Sequence, residues 1–219
     1  MSTRLFAALL VLSPSFALAD QPPTLRAEAP PPKKDRGEIQ LAVKVGGLFS
    51  EPFSALGPSY LVDLELGYVL PVWRHHLAVS LEGAYTAPTA DGKQSDARLD
   101  ASGGSYAWHL EQREAILGVT FFYRHPIKRF IPYVGIGPRI FLLQTRVQGQ
   151  AGASPIDLST ETSTKIGAGI PIGCGFVLGP GHLFAELGLI LGNIDHTTTG
   201  NVAVGVSSIT LALGYRLSF

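Results

Sequence analysis

Hydrophobic residues recur at every second position in eight separate stretches of this chain, and no other feature narrows its fold as much. In "EIQLAVKVGGLF", Ile39, Leu41, Val43, Val45 and Phe49 fall on one face and Gln40, Ala42, Lys44 and Gly46 on the other. In "YLVDLELGYVL", Tyr60, Val62, Leu64, Leu66, Tyr68 and Leu70 oppose Asp63, Glu65 and Gly67. Successive residues of a strand point to opposite sides, so strict alternation predicts strands with one apolar face.

Six further stretches repeat the pattern. Their apolar faces carry Leu81, Val119, Ile140, Ile172, Leu187 and Leu213, one from each. Their other faces carry Glu82; Glu114 and Arg124; Arg139; Lys165; Glu186; and Arg216, among Gly, Ser and Thr. His76 and Ser80 share the face of Glu82. Each stretch is about ten residues, the length a tilted strand needs to cross a bilayer. A one-residue slip in the second would turn Asp63 and Glu65 into lipid, at about 2.5–3.5 kcal/mol for a central Asp, so the register is strongly specified.

A soluble sandwich also alternates, so the connections have to arbitrate. "PVWRHH", "HPIKRF" and "LGPGH" are tight; residues 86–106 and 148–164 form long polar connections; residues 50–59 and 192–201 are intermediate. Short turns at one end and long loops at the other are the habit of barrels that cross a membrane. Trp73, Tyr68, Tyr123, Phe130, Tyr215 and Phe219 lie near the short turns, and Tyr60, Tyr85 and Trp108 near the long loops, which predicts two aromatic girdles. A helical alternative fails because Gly179-Pro180-Gly181 and Glu186 interrupt the most apolar region. The expectation is an all-β, eight-stranded antiparallel transmembrane up-and-down barrel over residues 38–219. A ten-strand variant with an extra hairpin near residues 98–108 stays open. Pro132, Pro138 and Pro171 lie inside the proposed strands, which predicts bulges or strand ends there.

Composition agrees. Charged residues make up 16% of the 219, against about 25% in soluble domains, and 25 residues are glycine. Lys+Arg and Asp+Glu number 17 each, so no basic field for nucleic acid exists. Residues 1–19 read as a signal peptide: Arg4, an apolar run over 5–12, then Ala17-Leu18-Ala19. Residues 20–37, with Pro22, Pro23, Pro30, Pro31 and Pro32, read as a periplasmic linker.

The C-terminal "LALGYRLSF" resembles the sorting signal of bacterial outer-membrane barrels, with a terminal aromatic, Phe219, preceded by Leu217, Tyr215, Leu213 and Leu211 at alternate positions. "PYVGIG" and "FAELGL" also resemble small eight-stranded barrels of the OmpA, OmpX and OmpW kind. The resemblance implies residence in the cell outer membrane, contact with its lipid, and insertion by the barrel assembly machinery. It leaves long loops for extracellular partners.

The inward list is then Lys44, Asp63, Glu65, His76, Glu82, Glu114, Arg124, Arg139, Lys165, Glu186 and Arg216. An eight-stranded barrel is just wide enough inside for side chains, so a structural ion-pair network filling the lumen is the expectation, with a charged constriction for solutes as the alternative. No catalytic, cofactor or metal site is expected. "GIGPRI" and "GAGIPIG" lack the strand–helix context of a nucleotide loop, and the six histidines lack ligand spacing. Cys174, the single cysteine, falls on the lipid face. Three roles follow: a structural or surface-interaction barrel, a narrow channel for small or apolar solutes, and a lipid-acting enzyme for which no local motif is present.

Overall fold

The computed structural model describes residues 36–50, 55–95, 105–151, 154–192, 194–196 and 203–219. The expected signal peptide, residues 1–19, and nearly all of the expected linker, residues 20–37, lie outside them. Eleven strands follow one another: β1 (Glu38–Ser50), β2 (Ser59–Val69), β3 (Leu77–Thr86), β4 (Thr89–Ser95), β5 (Ser105–Arg124), β6 (Phe130–Ala151), β7 (Ser154–Leu178), β8 (Gly181–Gly192), β9 (Ile194–His196), β10 (Ala203–Gly205) and β11 (Ser208–Ser218). Eight of them close a barrel, each antiparallel to its neighbours, in the order β1-β2-β3-β5-β6-β7-β8-β11 and back to β1. The other three lie at the end with the long connections. There β4 pairs with the outer half of β5, and β9 pairs with β10.

Following the register from Gln40 through Gly67, Ser80, Thr120, Gly137, Gly169, Ile190 and Ser208 returns to β1 at Ser50, ten residues along. At ~3.3 Å per residue and ~4.8 Å between strands, that stagger tilts the strands by about 40° from the barrel axis.

Alternation in the sequence becomes alternation of side. Leu64 is 58% exposed and Leu213 60%, whereas Asp63, beside Leu64, is 6% exposed. The same inversion runs around the whole circumference: large aliphatics stand outside, and charged or small residues stand within. Water would not tolerate so continuous an apolar surface. Hydrocarbon would, and closure leaves no strand edge with unpaired backbone groups inside it. The last strand shares in this closure. Between its two neighbours, the Phe219 N–H donates to Ile39 O (2.9 Å) and the Ile39 N–H to Phe219 O (3.2 Å).

Several details differ from the sequence reading. The connection at 148–164 is not a loop for most of its length. β6 and β7 run on through it as a ribbon of 22- and 25-residue strands with a register shift at Val147/Gln148. Polar Gln and Arg on its outer face mask β6 there, because only the inward side packs on apolar residues, Leu110 and Val147 among them. The connection at 86–106 likewise contains β4 and the start of β5. Pro138 and Pro171 sit mid-strand without bulges: the ladder partners lapse beside each, but the register is the same on both sides. Pro132 lies near the start of β6. Trp108 points inward, against Leu56, Ala90, Leu110 and Val147, and so does not stand in a girdle. Tyr60 and Tyr85 do stand outside, their rings 6.4 Å apart.

Candidate functional site

The inward faces meet in a compact group of charged side chains. Its centre is Lys44 of β1, which is 2% exposed. The Lys44 Nζ lies 3.0 Å from Asp63 Oδ2 and from Glu186 Oε1, and 3.6 Å from Glu65 Oε2 and Glu82 Oε2. Two arginines close the group from the sides: Arg139 Nη2 donates to Glu82 Oε2 (2.8 Å), and Arg216 Nη2 donates to Glu65 Oε2 (2.8 Å). Three cations thus face four carboxylates.

Neutral partners complete the group. The Tyr133 hydroxyl donates to Glu186 Oε2 (2.9 Å) and the Ser80 hydroxyl to Glu82 Oε1 (3.0 Å), while the Thr120 hydroxyl is a neutral acceptor for Arg139 Nη2 (2.7 Å). Such bonds are what allow buried charge to persist, because desolvation costs several kcal/mol per ion unless lone pairs and protons are satisfied. The Arg216 guanidinium also stacks over aromatic rings. Its carbon lies 4.6 Å from the Phe184 centroid, 5.3 Å from Tyr133 and 5.8 Å from Phe122, all within cation–π range.

The charged residues come from β1, β2, β3, β6, β8 and β11. β5 and β7 contribute glycine at this level. A Cβ on Gly118 or Gly169 would collide with the Arg139 side chain, so these glycines make the space in which the guanidinium lies flat. Toward the short-turn end, Ala42, Val69, Ala78, Phe122, Tyr133 and Phe184 form an apolar layer. Toward the other end, Ile116, Phe141, Leu143 and Val206 form a second. A cavity of about 40 Å³ remains beside the charged group, lined by Asp63, Glu82, Arg139, Glu186 and neighbouring aliphatics. The Asp63 Oδ1 has no hydrogen-bond partner among the described residues.

The other inward charges stand apart from the Lys44 group. Glu114 accepts from Gln112 Nε2 (2.6 Å), whose Oε1 accepts from the Thr145 hydroxyl (3.2 Å). That polar patch lies beyond Ile116, toward the long ribbon. Arg124 is buried at the short-turn end of the lumen. Lys165 is half-buried, level with Phe141. His76 does not share the wall with Ser80 and Glu82: it belongs to the turn before β3, where its Nδ1 is 3.3 Å from the Tyr123 hydroxyl and its ring 5.0 Å from that of His125. The reason is that β3 begins only at Leu77, after three consecutive residues with positive φ, Trp73, Arg74 and His75. Ser80 and His76 are therefore not brought together. Among the described residues no group of three metal-ligating side chains is present.

The residues of the C-terminal signal are on the outside. Leu211, Leu213 and Phe219 are exposed, Tyr215 and Leu217 partly so, and the Tyr215 hydroxyl donates to Leu178 O (2.7 Å). Cys174 is exposed on the same outer surface. Phe184, Gln112 and His182 were not singled out from sequence. Parity alone would have found them, since each lies an even number of positions from a charged inward residue on its own strand.

No family model matches the sequence, and no curated protein matches it. Solved structures do. A major outer membrane protein from Thermus thermophilus superposes with a TM-score of 0.52 at 13% identity, over 83% of this chain and 99% of that one. Neisserial surface protein A matches with a TM-score of 0.46 at 18% identity, over 84% and 97% of the two chains. The N-terminal β-barrel domain of Pseudomonas aeruginosa OprF matches with a TM-score of 0.42 at 15% identity, over 84% and 100%. At these identities what is shared is the fold, that of small outer-membrane β-barrels.

Proposed function

We propose that this chain, a barrel of the small outer-membrane kind in fold, resides in the outer membrane as a non-conducting barrel whose outer ribbon serves surface interactions. The observation that carries this reading is the single lysine holding four carboxylates inside the barrel. Six strands send charged groups to one level, and two send glycines that let those groups close up. In a barrel of eight strands that leaves little room for a solute path. Apolar layers on both sides add to the barrier. The ribbon of β5, β6 and β7 stands clear of the lipid on the side of the long connections, where extracellular partners would meet it. Insertion would use the C-terminal strand as a template, with Phe219 at its tip and the outward residues Leu211, Leu213, Tyr215 and Leu217 behind it, before β1 arrives to pair with it.

Planar-bilayer recording tests the lumen directly. Folded protein, verified by its heat-modifiable migration, is expected to give no current steps. Discrete steps from such a sample would replace this reading with that of a narrow channel.

A further inference from the structure

The outer surface of the barrel changes character abruptly along three adjacent strands. On β5, β6 and β7 the last outward apolar residues are Ala115, Leu142 and Ile166, and the next outward residues are Arg113, Gln144 and Thr164. Ala115 pairs with Leu142 and Leu142 with Thr164, so the three boundaries lie within about one pleat of one another along the barrel axis. Tyr85 pairs with Ala115 at the same boundary. One pleat further out lies a surface groove of about 200 Å³ lined by Glu111, Arg113, Gln144, Arg146 and Thr160.

We propose that this groove binds the phosphorylated sugar headgroup of an outer-leaflet glycolipid; the proposal rests on the membrane orientation given above. Its position sets the depth. A ligand whose acyl chains lie against Leu142 and Ile166 has its headgroup against Arg113 and Arg146. Its chemistry sets the class. Arg113 Nε donates to Glu111 Oε1 (2.8 Å), which orients the guanidinium and leaves the rest of its five-donor fork to face the groove. Arg146 stands opposite Glu111 in the ladder and has no ion-pair partner among the described residues. Two guanidiniums against one carboxylate give the groove a net positive charge, and Arg is the side chain best matched to phosphate oxygens. The Gln144 amide and the exposed Thr160 and Thr162 hydroxyls supply neutral partners for the several hydroxyls of a sugar ring, more than a small phospholipid headgroup presents.

The test uses full-length folded protein in detergent micelles doped with bisphosphorylated lipid A, dephosphorylated lipid A or phosphatidylglycerol, with retained lipid counted after gel filtration. Wild type is expected to retain bisphosphorylated lipid A about tenfold better than the Arg113→Gln/Arg146→Gln double variant, reflecting loss of two charge-assisted contacts. It is expected to retain the other two lipids poorly. A charge-matched control at the opposite rim, Arg74→Gln/Lys128→Gln, is expected to behave as wild type. Equal retention by the double variant overturns the proposal, and so does equal retention of phosphatidylglycerol. Both arginines are exposed, so neither variant is expected to lose the fold. A protein that fails to fold in micelles at all would instead count against the membrane reading.

Discussion

Replacing Lys44 with methionine is expected to destabilise the folded barrel by about 3–5 kcal/mol, the cost of leaving buried charge without its partner. The expectation follows from the count of charges. Asp63, Glu65, Glu82 and Glu186 all lie within 3.6 Å of one ammonium group. Arg139 and Arg216 still reach Glu82 and Glu65 in the variant. Among the described residues nothing then reaches Asp63, and Glu186 keeps only the Tyr133 hydroxyl. Urea unfolding from phospholipid vesicles measures the loss. Lys44→Arg keeps the charge and should retain most of the stability. Adding Asp63→Asn to Lys44→Met should recover part of it, because it removes the carboxylate left most exposed to the loss, and the resulting double-mutant cycle isolates the pair. A Lys44→Met variant within about 0.5 kcal/mol of wild type, the range of ordinary surface changes, would mean that the group is not organised around this lysine.

Leu213→Arg carries the second large effect, and here the environment decides the magnitude. Leu213 is 60% exposed. On a water-facing surface, arginine at such a position would change stability by no more than about 0.5 kcal/mol. At the middle of a lipid-facing strand it costs about 2–4 kcal/mol, falling to about 0–1 near the interface. Leu213 pairs with Val45 and Ala185 in the middle of the sheet, whereas Phe49 lies at the end of β1 beside Ser50. Leu213→Arg should therefore be several-fold more destabilising than Phe49→Arg in the same vesicles. Equal and negligible costs at both sites would show that neither meets hydrocarbon.

Much of this architecture is legible in the sequence because a membrane barrel has so little freedom. Alternation assigns each residue to lipid or lumen, and a slipped register would put Asp63 or Glu65 into hydrocarbon, so strand and register can be read together. The same rule places Lys44, Glu82, Arg139 and Arg216 inside. It does not say at what height they meet. That depends on the ten-residue stagger around the barrel, which accumulates over eight pairings and has no local signature. Hence Glu114, Arg124 and Lys165 share the parity of the Lys44 group but not its level. Alternation also fails where the membrane ends. Thr160 to Thr164 have no apolar member, and in Gln144 to Gln150 the inward Val147 is a lone aliphatic, so no apolar period marks either stretch as strand. His76 was misplaced for a different reason: parity has no meaning inside a turn, and the three positive-φ residues before it break the strand that parity presupposes.

The claim on which the rest depends is that the aliphatic face looks outward into lipid. Collision measurements on nitroxide labels test it most directly. With Cys174 replaced by alanine, single cysteines are placed in turn at positions 209–213 of β11 and labelled, and the protein is folded into bilayers. Oxygen concentrates in hydrocarbon, and a nickel chelate stays in water. The account predicts high oxygen collision rates at 209, 211 and 213, low rates at 210 and 212, and little access for the chelate at 211 and 213. A scan with the opposite phase, or one in which the chelate reaches 211 and 213 freely, would contradict it.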